Sequence, residues 1–265
     1  MSTVTLAVRD SATMFRRDLR HSLRFPAMTI SGIIVPVLFL LLFDGVFGRT
    51  LHAGLTAVTP HAGSYINYLA AGILVMTAAS AAEATALNVV TDMAEGIITR
   101  FRTMAVTRTA VLTGQVAGSL IRTLVSGALV VGVAFALGLR PTATPLGWIA
   151  LTGVFAMVSL ALTWLTVAFG LLAKTPSGAN SLALILVVLP FVSNAFVPAG
   201  SMPAGVRQFA AHQPFTPMID TLRGLLTGTP IGDNAVVAVA WCAALSLAGY
   251  LGARARYDQL PPRSA

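Results

Sequence analysis

Long stretches of this chain contain no Asp, Glu, Lys or Arg, among them the four at residues 25–43, 50–82, 141–173 and 175–206. A helix needs ~20 consecutive apolar residues to cross a bilayer. Strands of a porin-type barrel instead alternate apolar and polar over ~10 residues. The four runs are continuous rather than alternating, so they predict membrane-spanning helices. Composition agrees, since 56% of the 265 residues are hydrophobic and only 10% are charged, against about 25% charged in soluble domains.

The hydropathy pattern predicts an all-α polytopic membrane protein. We place six spans at 28–47, 65–88, 113–138, 148–173, 181–198 and 234–252. They belong to one membrane domain over 1–265: a cytoplasmic segment at 1–26, a bundle over 28–252 and a cytoplasmic tail at 253–265. The fifth span is short and holds Pro190, which leaves a carbonyl that only neighbouring helices or water can satisfy, so a packed span is expected. About 26 residues precede the first apolar run and no A-x-A site follows it closely, so that span is expected to stay as an anchor.

Basic residues set the expected orientation. With both termini in the cytoplasm, inside segments hold Arg9, Arg16, Arg17, Arg20, Arg24, Arg100, Arg102, Arg108, Lys174, Arg254, Arg256 and Arg263, against Arg49, Arg140, Arg207 and Arg223 outside. This asymmetry obeys the positive-inside rule. The net charge of +8 is then mostly topology, and no nucleic-acid partner is expected.

Two segments outside the spans are patterned. Near the N-terminus, Val8, Ala12, Phe15, Leu19 and Leu23 recur on one helical face while Arg9, Arg16, Arg17, Arg20 and Arg24 cover much of the rest. This predicts an amphipathic helix lying in the membrane interface; arginines that only enforce orientation are the alternative. Between the second and third spans, Asp92, Glu95, Arg100, Arg102 and Arg108 crowd into 17 positions (92 to 108). Asp92 and Glu95 suit a helix N-terminus and Arg100 and Arg102 its other end, which a solvated helix would also satisfy. Ile97, Ile98, Phe101 and Met104 add an apolar stripe outside the membrane, and such a stripe favours docking on a partner.

Charge inside the spans is sparse. Glu83 in the second span and Arg122 in the third are costly there unless paired or facing water, so they form a packing pair or serve a transport path. Small residues recur at 78–84 (AASAAEA), at Gly114 and Gly118, and at Ala128, Gly132 and Ala136. They allow close helix approach within the chain or between two copies. The lone Cys242 falls in the sixth span and reads as a small buried hydrophobe.

The segment 194–228 is too apolar for a free polar loop. Its prolines, Pro198, Pro203, Pro214 and Pro217, alternate with helical spacing at Met218, Leu222, Leu225 and Leu226. Two short helices on or dipping into the outer leaflet are expected, with a hydrophobic capping loop as the alternative. Chemical motifs are otherwise missing: the four histidines are scattered, and the only lysine, Lys174, follows Ala173 rather than a P-loop glycine. No catalytic or metal site is expected, and no nucleotide site of its own.

At these two loops the chain resembles the ABC-2 type exporter permeases, in particular their daunorubicin-resistance-like branch, and the resemblance spans nearly the whole chain. The cytoplasmic motif is matched by Glu95, Gly96, Arg100, Phe101, Arg102, Met104, Val106, Arg108 and Gly114. The outer motif is matched by Phe196, Pro198, Met202, Pro203, Pro214, Arg223 and Gly228, with Gln213 where an asparagine is usual.

The resemblance implies six spans, the interfacial N-terminal helix and a cytoplasmic coupling helix. It implies two permease subunits, identical or related, paired with two separate ATPase subunits that bind ATP and Mg. It implies outward transport of an amphipathic drug, antibiotic or lipid across the cell membrane. The docking surface for the ATPase is expected at Asp92, Glu95, Gly96, Ile97, Arg100, Phe101, Arg102, Met104 and Arg108. An ion-coupled secondary transporter is the rival, but such proteins place ionisable groups or broken helices in both halves, and the last three spans carry no charged residue.

Overall fold

A computed structural model describes residues 26–50, 64–94, 108–173 and 175–259. Among these every regular element is a helix: α1 (Pro26–Leu41), α2 (Tyr65–Ala94), α3 (Arg108–Ala136), α4 (Pro145–Leu172), α5 (Pro176–Val188), α6 (Ala204–His212), α7 (Phe215–Thr227) and α8 (Asn234–Gln259). A π turn, Leu42–Val46, extends α1, and a 3₁₀ turn, Leu189–Val192, extends α5. The expected interfacial helix, with Phe15, Arg16, Arg17, Leu19 and Arg20, lies outside the described residues.

Four helical segments are long and apolar enough to cross a membrane: Tyr65–Met93, Leu112–Ala136, Pro145–Leu172 and Asn234–Arg256. They correspond to the expected second, third, fourth and sixth spans. The apolar helices in the places of the first and fifth are shorter, Ile33–Val46 and Pro176–Val192. The fifth is also displaced from its expected 181–198. It starts earlier because Thr175 accepts from Gly178 N–H at 3.2 Å with Pro176 in the first turn, and Thr144 and Pro145 start α4 the same way, with Gly147 N–H at 3.1 Å. A hydroxyl N-cap followed by proline uses a position whose N–H has no helical partner anyway.

α4 is the centre of the bundle, packed against α2, α3 and α8. Its contact with α8 is backbone to backbone: a Cβ on Gly249 would sit 2.5 Å from the Trp164 carbonyl carbon. Trp164 and Tyr250 meet edge to face beside it, with centroids 5.1 Å apart. The small residues divide between buried and exposed positions. Ala78, Ala79 and Ala82 are buried within the chain, while Ala128, Gly132 and Ala136 lie on the exposed face of α3.

The interior also holds hydroxyls, and they are satisfied locally. Thr77, Thr123, Ser159 and Thr163 each donate to the carbonyl four residues earlier. Thr85 and Ser119 bridge α2 to α3 at 2.7 Å. Such pairs lose little to water in a bilayer and hold helix register. Cys242 is buried, as expected.

Candidate functional site

Polar contacts concentrate where α5 breaks, and the break begins at Pro190. Proline has no N–H to donate and clashes with a continuing α turn. The helix therefore tightens to 3₁₀ over Leu189–Val192 and gives way to an irregular stretch, 193–198. Ser193 fixes the exit: its hydroxyl donates to the Pro190 carbonyl at 2.6 Å and accepts from the Ala195 N–H at 3.1 Å.

Irregular backbone inside a bundle leaves carbonyls without helical partners, and buried ones must be met. Side chains from distant elements meet three in alternation. Gln213 Nε2 donates to Val192 O at 3.0 Å, the Tyr68 hydroxyl to Asn194 O at 2.7 Å, and the Tyr65 hydroxyl to Phe196 O at 3.0 Å. A tight approach makes this possible, because a Cβ on Gly72 would lie 2.7 Å from Ala195 Cβ and 2.8 Å from its carbonyl oxygen. Any larger residue would push α2 off the broken stretch.

Arg223 on α7 ties the three parts together. It donates from Nε to Tyr68 O at 3.2 Å, from Nη2 to Asn194 O at 2.8 Å and from Nη1 to Asp220 Oδ1 at 2.7 Å. Its guanidinium carbon stands 3.7 Å from the centre of the Tyr68 ring. Asp220 Oδ1 also accepts from Asn194 Nδ2 at 2.6 Å. The planar fork of arginine suits such divergent acceptors, which a lysine could not serve together. The result is a charge-balanced knot joining the start of α2, the broken stretch and α7.

Packing holds α7 in place beneath this knot. Phe215, Met218, Ile219, Leu222 and Leu226 form one helical stripe and are all buried against α2, α4 and α8. The helix ends at Gly228, whose φ of +67° favours glycine and whose Cβ would lie 2.8 Å from Thr142 Oγ1. Thr142 N–H donates to Leu226 O at 3.1 Å. Beside the knot, Phe43 and Phe191 both stack on Phe196, at 4.6 and 4.9 Å.

The outer motif read from the sequence is thus partly gathered and partly dispersed. Phe196 and Arg223 lie in the knot, Pro214 and Gly228 bracket α7, and Pro198, Met202 and Pro203 belong to the turn that leads into α6. Tyr65, Tyr68, Gly72, Asn194 and Asp220 were not singled out. Only Asp220 had a local signal, its i, i+3 spacing to Arg223.

At the other end of α2, Asp92 Oδ2 accepts from Gln115 Nε2 on α3 at 2.6 Å. Asp92 does not open a new helix as expected. No glycine or proline lies between Gly72 and Gly96, so α2 runs on through Asp92 to Ala94, the last described residue of this stretch. The Gln115 amide on α3 meets the Asp92 carboxylate there. Val89, Leu112, Val116, Trp164, Val167, Leu171 and Ala253 pack around this end. Glu95, Gly96, Ile97, Arg100, Phe101, Arg102 and Met104 lie outside the described residues, and Arg108 is the first described residue of α3.

Glu83 and Arg122 are half-buried, but among the described residues no ion pair joins them. The geometry explains why. Thr85 faces Ser119 on α3, and residues two apart on a helix point ~200° apart at ~100° per residue, so Glu83 turns away from α3.

The family model described as ABC-2 type transporter matches residues 10–227, which takes in the knot and ends at the last residue of α7. The chain is 26% identical over 224 residues to the daunorubicin resistance ABC transporter permease protein DrrB1 of Streptomyces coeruleorubidus, covering 84% of this chain and 77% of that one. It is 24% identical over 245 residues to the probable doxorubicin resistance ABC transporter permease protein DrrC of Mycobacterium tuberculosis, covering 91% and 85%. The putative transport permease ycf38 of Porphyra purpurea is 27% identical over 239 residues, with 88% and 80% covered.

Proposed function

Because the chain belongs to the ABC-2 type transporter family, we propose that it is the membrane-spanning permease subunit of an ATP-binding cassette exporter, moving an amphipathic drug, antibiotic or lipid out of the cell. Two of its relatives are named as daunorubicin and doxorubicin resistance permeases. With no P-loop in its sequence, the chain relies on a separate ATPase subunit, present in two copies, that carries ATP and Mg. A second permease subunit, identical or related, completes the machine. The Tyr65 end faces outward and both termini face the cytoplasm, the orientation that the basic residues favour.

The observation that carries this reading is the reach of α2. Over ~45 Å, from 30 residues at ~1.5 Å each, one helix joins the outer knot to the Asp92–Gln115 contact. That contact closes the base of the cytoplasmic loop that bears the family motif. The ATPase docks on this loop, through Asp92, Glu95, Gly96, Ile97, Arg100, Phe101, Arg102, Met104 and Arg108. Closure of the ATPase dimer displaces α2, and a displaced Tyr68 releases Arg223, so that α7 and the broken stretch swing from the exit. Rigid elements with two arrangements are the physical basis of such coupling.

Co-expression with the neighbouring ATPase tests this. The expected result is a co-purifying complex with ATP-dependent uptake of an amphipathic dye into inside-out vesicles. Dye transport without any ATPase subunit that follows a proton or sodium gradient would instead make the chain a secondary transporter.

A further inference from the structure

Glu83 is a carboxylate at hydrocarbon depth whose side chain takes no hydrogen bond and no ion pair among the described residues. Its depth follows from α2 alone. It lies 18 residues (83 − 65) along the 30-residue helix, about 27 Å into ~45 Å at ~1.5 Å per residue. A hydrocarbon slab of ~30 Å contains that point wherever it is set along the helix. A charge at such depth is costly unless it faces water or a counter-ion.

Its surroundings are amphipathic. Next to the half-buried Glu83, α2 exposes Ala84, Asn88 and Thr91, with Leu87 half-buried between them. α5 packs on α2 and runs antiparallel to it, with Ala195 against Gly72. Glu83 lies 11 residues (83 − 72), about three turns, along α2 from Gly72 and so on nearly the same side of that helix. On α5, Leu184, Ile185 and Val188 are exposed, with Asn180 and Ser181 nearer its start. The inner half of this face therefore offers one acid and a few amides and hydroxyls beside apolar side chains.

We propose that Glu83 is the cargo-selecting residue of this transporter, receiving the ammonium group of an amphipathic cation while the exposed faces of α2 and α5 take its apolar body. The inference rests on the exporter reading and narrows its cargo to cationic amphiphiles. A cation meets the uncompensated carboxylate, and an apolar body meets the rest, whereas a neutral or anionic amphiphile leaves Glu83 unanswered. A charged hydrogen bond in a low-dielectric site is about twice as strong as a neutral one.

Equilibrium binding to the full chain in nanodiscs tests this without the ATPase. The probes are a dansyl-labelled undecylamine and the same molecule with its amine acetylated. Wild type is expected to bind the amine about tenfold more tightly than the amide, the discrimination expected of ~1.4 kcal/mol. Glu83→Gln is expected to remove that preference with the amide affinity unchanged, and Glu83→Asp to retain part of it. Equal affinity for both probes in wild type overturns the proposal. So does an equal loss of both probes in Glu83→Gln, which assigns Glu83 a structural or subunit-contact role. A selective preference for the amine in a chain that never exports with an ATPase would uphold the site and refute the exporter reading.

Discussion

Replacing Arg223 by methionine keeps most of the side chain's volume and removes its charge, so it isolates the polar knot from the packing of α7. Three hydrogen bonds and the contact with the Tyr68 ring are lost, and Asp220 keeps only Asn194. The magnitude depends on exposure. A solvent-exposed ion pair is worth ~0–1 kcal/mol, whereas breaking a buried one costs ~3–5 kcal/mol. The Arg223 side chain is 13% exposed and that of Asp220 27%, which places the loss at about 2–4 kcal/mol, nearer the buried limit. At ~2–4 °C per kcal/mol, the apparent melting midpoint in detergent, read at one scan rate because unfolding is irreversible, should fall by roughly 5–15 °C. The decisive measurement is the cycle with Asp220→Asn. Once Asp220 is neutral, Arg223→Met no longer strands a carboxylate, so the double variant should be more stable than the sum of the single losses by about 1–3 kcal/mol. Strictly additive shifts, or an Arg223→Met midpoint within 2 °C or so of wild type, would mean that packing alone seats α7 and that the knot is incidental.

Gly72→Ala should cost about 1–3 kcal/mol through overpacking against Ala195 and lower the yield of folded protein; Gly132→Ala, where a Cβ meets nothing within 4 Å, should melt like wild type. In a Cys242→Ser background, a cysteine at the exposed Phe209 should react quickly with a bulky membrane-impermeant thiol reagent, while one at the fully buried Ala210 should react slowly; equal rates would show α6 detached from the bundle. Glu95→Arg or Phe101→Ala should leave the permease inserted and folded but release the ATPase or uncouple hydrolysis from transport, as measured by co-purification and vesicle uptake. Full ATPase complement with normal export in both variants would remove this loop as the coupling element.

The long spans were legible in the sequence because a membrane imposes a local rule. Each segment must bury its own backbone hydrogen bonds and present apolar side chains over a fixed length, so 65–88, 113–138, 148–173 and 234–252 could be read one window at a time. Each lies within, or overruns by only a residue or two, a longer helix. The two misjudged boundaries follow from the limits of that rule. Hydropathy marks where charge begins, not where a helix ends, so α2 passes Asp92 to Ala94. In α5 the sequence shows Pro190, yet hydropathy alone extends the expected span to 198, because one proline does not reveal whether its neighbours can supply substitute hydrogen bonds.

Tertiary structure decided the candidate site for the same reason in reverse. The hydroxyls of Tyr65 and Tyr68 reach carbonyls 131 and 126 residues away, and Arg223 reaches Tyr68 O across 155. No periodicity links positions so distant. Which donor meets which freed carbonyl depends on how closely Gly72 lets α2 approach Ala195 and on where the buried stripe of α7 seats Arg223. Likewise, the sequence placed Glu83 and Arg122 in adjacent spans and made them look like partners, but the rotation of α2, set by the Thr85–Ser119 contact, turned them apart, and among the described residues no cation pairs with the Glu83 carboxylate.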